Sequence, residues 1–409
     1  MNILIIGGNG DSPLPNSVCI KNLVKVFISK GYNVWVLAGG DKYIKSAGNL
    51  EGAELWQIPA DLYSRLTDYS IKHPSFIIRL VYQLVSVIRH LILLVFFPTT
   101  NPLRSRKLIK KAKKLVKQNN INLVLTTFVY YENIKAGLVI KKEYKDDIKV
   151  ISYHLDLRTA SANSNRIIRN FIRKRALHSI IKESRIVDRI LVPYSGKSDI
   201  ESINGIKQDQ IEFVGFPVFV KPETCDICSL PFKGDEISIS YVGSLSYENR
   251  NPLQFLSLLE KASEVLGQKI KVYFWGNLGG MESSVDKSPV ASYQGIIENR
   301  FSHYIIHESD FLLNVGNRIT YDMMPSKIFG MFATGKPIIN LIFNPYDATI
   351  PYFEKYGHSI NLSMFDETQD KVKILKEGLS SLFQSPLTDC SNSFNDYKPS
   401  VIGDIILSN

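Results

Sequence analysis

Asn2-Ile-Leu-Ile-Ile6 runs into the glycine loop Gly7-Gly-Asn-Gly10, then an amphipathic stretch near residues 16–30, then a second apolar run, Asn33-Val-Trp-Val-Leu37. An apolar run without a polar face needs cover on both sides if it is a strand, and an amphipathic segment between two such runs supplies that cover. The order predicts a parallel sheet with crossover helices. Further buried-strand candidates follow at Asn122–Thr126, Ile148–Tyr153 and Asp188–Pro193, each separated by enough chain for a helix. Residues 1–214 are therefore expected to form one Rossmann-like domain.

The segment Gly215-Phe-Pro-Val-Phe-Val-Lys-Pro222 and the polar stretch to Glu236 break the pattern and read as a linker, 215–236. A second sheet follows, with strands at Ile237–Val242, Ile270–Trp275, Phe311–Val315 and Ile338–Ile342 and helices beginning near Pro252 and Pro325. This places a second Rossmann-like domain over 237–385, with residues 386–409 as a tail returning to the first. The expected fold is α/β, two such domains facing each other across a cleft.

Composition narrows the class. With 409 residues, 44% hydrophobic and 22% charged, the chain can bury large cores, which excludes a disordered chain and a single small binding module. An excess of 49 Lys and Arg over 39 Asp and Glu gives a net charge of +10 and points to an anionic partner without choosing among phosphate, membrane surface and nucleic acid. Four cysteines, Cys19, Cys225, Cys228 and Cys390, are too few for a disulfide framework, and the chain opens on a strand rather than a charged leader, so a cytoplasmic location is expected. Cys225-x-x-Cys228 has no second pair and no nearby histidine, so no metal is expected there.

Phe76–Phe97 holds 16 Leu, Ile, Val and Phe residues, interrupted by Arg79, Gln83, Ser86, Arg89 and His90. Hydropathy alone leaves insertion near balance, about −7 kcal/mol from the apolar residues against a similar cost of the polar ones. Arg79, Gln83, Ser86 and His90 form one polar stripe, and a spanning helix would separate the first two strands from their sheet, so a helix in the membrane surface or in a domain core fits better. Residues 101–120 then carry eight cations, Arg104, Arg106, Lys107, Lys110, Lys111, Lys113, Lys114 and Lys117, and no acid. A second basic stretch runs from Arg158 to Arg189. A charge run by itself is ordinarily a solvated helix face; an apolar helix followed by a polybasic one is the two-signal arrangement for an anionic membrane, and peripheral contact through Phe76 to Lys117 is expected. Nucleic acid is disfavoured, because the basic stretches lack interleaved aromatics.

For chemistry, Gly7-Gly-Asn-Gly10 is not a dinucleotide fingerprint: Pro13 stands three residues after Gly10. Gly8, Asn9 and Gly10 still let a sugar or acceptor approach the backbone, a plain tight turn being the alternative. Tyr241-Val-Gly-Ser-Leu-Ser-Tyr-Glu-Asn-Arg-Asn-Pro252 runs from strand through a glycine turn into a proline-started helix, bringing Gly243, Ser244 and Arg250 together as a diphosphate site. The next strand ends on Gly276 and Asn277. Asp310-Phe-Leu-Leu-Asn-Val-Gly-Asn317 contributes Gly316 and Asn317, and Asp322-Met-Met-Pro-Ser-Lys-Ile-Phe-Gly-Met-Phe-Ala-Thr-Gly-Lys-Pro337 is expected to start a helix at Pro325, with Ser326 and Lys327 in its first turn and Gly335 ending it. His154 and Asp156, in Ser152-Tyr-His-Leu-Asp-Leu-Arg158, lie at the carboxyl end of a strand, where doubly wound sheets open their ligand crevice; a buried structural histidine is the alternative.

In these motifs, between 241 and 342, the sequence resembles the GT-B nucleotide-sugar glycosyltransferases, in particular the retaining family four of bacterial surface polysaccharide synthesis. The resemblance implies a nucleoside diphosphate sugar as donor, a glycan or lipid-linked acceptor, no metal, and His154, Asp156 and Asp322 near the sugar. Two departures stand out. The family's glutamate, seven residues, glutamate pattern is here Asp322 and Gly330, which removes the usual acceptor for the ribose. Ser244 takes the first place of the family's basic pair, and the remaining cation, Arg250, comes one residue late. A nucleotide-sugar epimerase of the same layout, or a non-catalytic partner subunit, remain alternatives.

Overall fold

The computed structural model describes residues 1–10, 14–39, 47–59, 66, 69, 75–128, 130–155, 166–221, 230–297, 299–321 and 324–408. The chain divides into two units, Met1–Pro217 with Asp396–Asn409, and Val218–Asn395.

In the first unit the strands are β1 (Asn2–Ile6), β2 (Asn33–Gly39), β3 (Ala47–Leu50), β4 (Ala53–Ile58), β5 (Leu123–Thr127), β6 (Lys149–Tyr153), β7 (Arg189–Pro193) and β8 (Ile211–Val214). They form one sheet in the order β3-β4-β2-β1-β5-β6-β7-β8, parallel except for the β3–β4 pair. The order reverses between β1 and β5, so this sheet has its switch point beside Gly7–Gly10. Ile3 to Ile6 are all fully buried, as a run without a polar face requires.

Helices α1 (Pro15–Ser29), α2 (Phe76–Phe96), α3 (Pro102–Asn119), α4 (Tyr131–Tyr144), α5 (Arg166–Ser184) and α6 (Lys197–Glu201) accompany this sheet. Proline starts α1 and α3, where its missing N–H costs nothing, and Asn101 caps α3 by accepting from the Arg104 amide at 3.0 Å. α3 buries Leu108, Ala112, Leu115 and Val116 and leaves Lys107, Lys110, Lys114 and Lys117 exposed, a stripe at helical spacing. Lys113 pairs with Glu143 at 2.6 Å and Lys111 lies 3.1 Å above the Trp56 ring.

α2 does not lie in a core. Phe76 is 80% and Ile77 74% exposed, and Leu80, Leu84, Val87 and Ile88 are also exposed. The side chains of Arg79 and His90, expected in its polar stripe, fall outside the described residues. Among the described residues no helix is long and apolar enough to cross a membrane.

The second unit holds β9 (Glu236–Val242), β10 (Lys269–Trp275), β11 (Ala291–Tyr293), β12 (Phe311–Val315), β13 (Ile338–Ile342) and β14 (Ser359–Ser363), all parallel, in the order β11-β10-β9-β12-β13-β14. Its helices are α7 (Leu253–Leu266), α8 (Glu282–Asp286), α9 (Asn299–Glu308), α10 (Lys327–Phe332), α11 (Ile350–Tyr356) and α12 (Lys371–Leu382). Asn314, Asn340 and Asn361 sit in register across β12, β13 and β14 and bond in series, Asn314 Nδ2 to Asn340 Oδ1 at 2.8 Å and Asn340 Nδ2 to Asn361 Oδ1 at 3.0 Å. Such a ladder satisfies buried amides pairwise and pins the register of three parallel strands.

The last helix, α13 (Pro399–Leu407), belongs to the first unit. It lies so close to α1 that a Cβ on Gly403 would stand 2.8 Å from Val26, and Lys30 pairs with Asp404 at 2.5 Å. Residues 386–395, sequence-assigned to the returning tail, pack within the second unit, where the Phe394 ring stacks on Phe332.

Candidate functional site

Three adjacent strands of the second unit, β10, β9 and β12, each end on a glycine: Gly276, Gly243 and Gly316. A Cβ on Gly276 would overlap the Gly243 carbonyl, and one on Gly316 would approach the Leu341 carbonyl at 2.5 Å and Asp347 Oδ2 at 2.9 Å. Gly276 also has φ +116°, outside the range of ordinary side chains. These glycines let the backbone turns crowd together at one sheet edge, beside which two cations stand.

Lys327 is one. Its ammonium lies over Gly243, 3.6 Å from where a Cβ would stand, and 4.4 Å from the centre of the Tyr241 ring, donating to Tyr241 Oη at 3.3 Å. Tyr241 is fully buried and donates its hydroxyl to the Ser244 carbonyl at 3.0 Å, which fixes the floor under the lysine. Burial, reinforced by the Arg250 charge, pulls the Lys327 pKa down to about 7. The same burial pushes the Tyr241 hydroxyl upward, partly countered by Arg250.

Arg250 is the other. It is held by a tight return of the chain, with its amide donating to the Ser246 carbonyl at 2.8 Å, and its Nε donates to Asn317 Oδ1 at 2.6 Å. Asn249 tightens the junction: its amide nitrogen reaches Asn317 Oδ1 at 3.2 Å and Thr320 Oγ1 at 3.1 Å, and its Oδ1 accepts from the Ile319 amide at 2.8 Å. Asp347 is buried nearby, with Oδ1 accepting from the Thr349 amide and hydroxyl; burial raises its pKa, the Thr349 bonds and Arg250 opposing. Among the described residues no carboxylate forms an ion pair with Arg250 or Lys327. Two cations kept close with no ion-paired carboxylate among the described residues, one partly discharged by burial, form an arrangement completed by an anion with several oxygens.

The structure thus brings together Gly243, Ser244, Arg250, Gly276, Gly316, Asn317 and Lys327. Asn277 plays a backbone part, its carbonyl accepting from the Leu245 amide at 2.8 Å. One correction concerns the helix expected to start at Pro325: α10 begins at Lys327 and spans six residues, with Pro325 and Ser326 ahead of it, so charge at this end comes from the ammonium rather than from a long aligned dipole. Gly330 lies within α10 and nothing stands within 4 Å of where its Cβ would be. Asp322 and Asp156 fall outside the described residues, as do Cys225 and Cys228.

His154, in the first unit, follows β6 and is 2% exposed, its Nε2 lying 3.0 Å from Oε1 of the fully buried Glu183. That contact fixes the ring, whatever else it faces. Gly8 and Gly10 adopt left-handed φ values of +69° and +64°, and the Asn9 amide between them donates to Ser17 Oγ at 3.0 Å, tying the loop to α1. Tyr241, Asn249 and Asp347 escaped the sequence reading: Tyr241 and Asn249 lie inside the quoted motif without a spacing that marks them, and Asp347 has no local signal. No cluster of possible metal ligands occurs among the described residues.

No family model matches the chain, and no curated protein matches it in sequence. Solved structures match over its whole length. UDP-GlcNAc 2-epimerase from Methanocaldococcus jannaschii is 10% identical with a TM-score of 0.56, covering 100% of this chain and 99% of its own. The glycotransferase of kitacinnamycin is 10% identical, TM-score 0.54, with 99% and 98% covered. Trehalose-6-phosphate from E. coli bound with UDP-2-fluoro glucose is 11% identical, TM-score 0.54, with 99% and 95% covered. At such identities the likeness is one of fold: the chain has the GT-B fold, which glycosyltransferases and UDP-GlcNAc 2-epimerases share.

Proposed function

We propose that this GT-B protein is a glycosyltransferase that moves a sugar from a nucleoside diphosphate sugar to a glycan or lipid-linked acceptor in bacterial surface polysaccharide synthesis, with retention of configuration. The observation that carries the donor assignment is the Arg250–Lys327 pair, two cations at one sheet edge with no ion-paired carboxylate among the described residues. Breaking a glycosidic bond to a diphosphate leaves negative charge on the leaving oxygens, and two preset cations stabilise that charge without reorganising. With its pKa drawn down to about 7, Lys327 is part neutral near that pH; an arriving diphosphate restores its proton, so the cation forms where the leaving group needs it. Asp322 is assigned to the donor sugar, and His154 and Asp156 to the sugar and acceptor. Catalysis in this scheme is positioning plus charge neutralisation and calls for no metal.

The exposed apolar residues of α2 and the Lys107, Lys110, Lys114 and Lys117 stripe of α3 support peripheral binding to an anionic membrane at the cytoplasmic face, where a lipid-linked acceptor resides. An epimerase of the same fold has no use for that surface, which favours the transferase. Incubating the purified protein with a panel of nucleotide sugars, with and without a membrane extract, tests the reading. The expected result is nucleoside diphosphate release and labelled sugar in the lipid fraction, only when membranes are present. Isomerisation of the donor without membranes would establish the epimerase instead, and no turnover with any donor would leave a non-catalytic subunit.

A further inference from the structure

One acid beside the two cations offers more than its turn requires. Asp347 lies in the loop between β13 and α11 and is 5% exposed. Its Oδ1 alone serves the turn, accepting from the Thr349 amide at 2.8 Å and the Thr349 hydroxyl at 2.7 Å. Such a turn needs one side-chain oxygen, which an asparagine supplies without burying a charge. Oδ2 accepts no hydrogen bond among the described residues, and it is not one of the partnerless side-chain atoms there that are sealed from solvent. An ionised carboxylate offers about four acceptor sites, and leaving a buried one unmet is costly, so an acid kept here has a use for its second oxygen.

The loop holds that oxygen in place. The Tyr346 amide donates to Asn344 Oδ1 at 2.9 Å and the Asp347 amide to the Asn344 carbonyl at 3.1 Å. The Ala348 amide donates to the Tyr321 carbonyl at 2.8 Å, which ties the loop to the chain that follows Asn317. Oδ2 stands 2.9 Å from where a Cβ on Gly316 would be, so the lack of a side chain after β12 admits it. Asn317, the next residue, holds Arg250, whose charge acts on Asp347 without an ion pair between them. Along the sheet edge the order is therefore Lys327 over Gly243 at β9, Arg250 on Asn317 after β12, and Asp347 after β13.

We infer that Asp347 takes a ring hydroxyl of the nucleotide sugar beside its diphosphate, and so sets which donors the site accepts. The two cations hold the phosphates. The group next along the edge offers acceptors only, which suits the O–H of a sugar ring and repels a phosphate oxygen. A lone carboxylate beside a fixed guanidinium is a poor cation site, whereas a hydroxyl brings a proton and no charge. The inference rests on the diphosphate reading of Arg250 and Lys327. A nucleotide sugar carries two hydroxylated rings, the transferred sugar and the ribose, and binding measurements separate them.

The test is calorimetric titration of the full chain, wild type and Asp347→Asn, with UDP, GDP and ADP and their glucose, galactose and N-acetylglucosamine conjugates. The monodeoxy forms of whichever conjugate binds most tightly, altered in either ring, complete the set. Wild type should bind at least one deoxy form about tenfold or more weakly than its parent. Asp347→Asn should bind the parent about tenfold or more weakly and no longer distinguish that deoxy form, while its thermal midpoint does not fall, since Oδ1 and the Thr349 bonds remain. A sensitive position on the transferred sugar, with the nucleoside diphosphate alone bound equally by both proteins, identifies the sugar's hydroxyl. A sensitive position on the ribose, with the nucleoside diphosphate also weakened, identifies the ribose's. The inference is overturned if wild type rejects no deoxy form, a comparison that needs no variant, or if Asp347→Asn weakens parent and deoxy forms by equal factors, which would make Asp347 a support for Arg250. It is equally overturned if the variant tightens every ligand alike, the effect of removing a charge that only repels phosphate. No binding of any ligand at about 10 mM would overturn it together with the diphosphate reading. Failure of that reading alone shows separately, as nucleotide binding that survives Lys327→Met.

Discussion

Glycines crowd the carboxyl edges of both sheets, and the polar groups beside them differ. In the second unit, Gly276 and Gly316 let backbone turns pack closely, Lys327 lies over Gly243, and the neighbours of the two cations are bonded to one another: Tyr241 to Ser244, Asn249 to Asn317, Asn317 to Arg250. In the first, Gly7, Gly10 and Gly39 make room for Thr127, Gln57 and Arg104, of which Thr127 and Gln57 have side chains with no hydrogen bond among the described residues. A charged leaving group rewards rigid cations, because any reorganisation adds to the barrier.

The difference between the two edges can be tested residue by residue. Largest, Arg250→Ala or Lys327→Ala should each lower kcat/KM at least a hundredfold, about 3 kcal/mol, while the circular dichroism spectrum stays that of wild type. Wild-type turnover in either variant would remove the second edge from the chemistry. Next, Gly276→Ala should destabilise the second unit by about 3 kcal/mol, since its φ is +116° and its Cβ would meet the Gly243 backbone, a cost read as a lowered urea midpoint.

Lys327→Met should raise stability even as it stops turnover. The folded-state pKa of about 7 lies below the usual 10.5, so the unfolded chain binds more protons between these values. The penalty for burying the charge is full below pH 7, fades as pH rises to 10.5 and vanishes above it. The variant should therefore gain about 2 kcal/mol over wild type at pH 6, and the gain should disappear by pH 10.5. A gain independent of pH would assign it to packing alone.

At the first unit, changing Lys107, Lys110, Lys114 and Lys117 together to Gln should abolish sedimentation with anionic liposomes at low salt, each cation contributing about 1 kcal/mol near such a surface. Equal recovery with neutral liposomes would contradict the membrane assignment. The smallest effect is at Gly330: with open space around its Cβ, Gly330→Ala should stabilise by roughly 0.5–1 kcal/mol through helix propensity. Gly330→Glu, which restores a carboxylate for a ribose, should tighten nucleoside diphosphate binding severalfold.

Much of the fold was legible because its signal is local. The apolar runs at Asn2–Ile6, Phe311–Val315 and Ile338–Ile342 coincide with strands, since a strand buried on both faces needs an uninterrupted apolar run. Ala53–Ile58, whose Glu54 and Gln57 dilute the run, and Ser359–Ser363, a polar-flanked edge strand, were not expected as strands. The Arg250–Lys327 edge was legible as residue types: glycines at strand ends, a lysine after Pro-Ser, an arginine after the turn. Its geometry was not, because Lys327 meets Tyr241 across 86 residues and Arg250 meets Asn317 across 67. The Gln57, Thr127 and Arg104 set was invisible for the same reason, and Arg104 was counted within a charge run whose other members face solvent or surface partners. His154 was legible as a strand-end histidine; its buried partner Glu183, 29 residues on, was not.

If the half-buried, partly discharged Lys327 and Arg250 hold a diphosphate, calorimetric titration with nucleoside diphosphates between pH 6 and 9, in buffers of different ionisation enthalpy, reads the proton that binding restores. The account predicts proton uptake on binding above pH 7, affinity that falls as pH rises from 7 to 9, and loss of both effects in Lys327→Met. Binding that is independent of pH, takes up no proton and survives in Lys327→Met would contradict it.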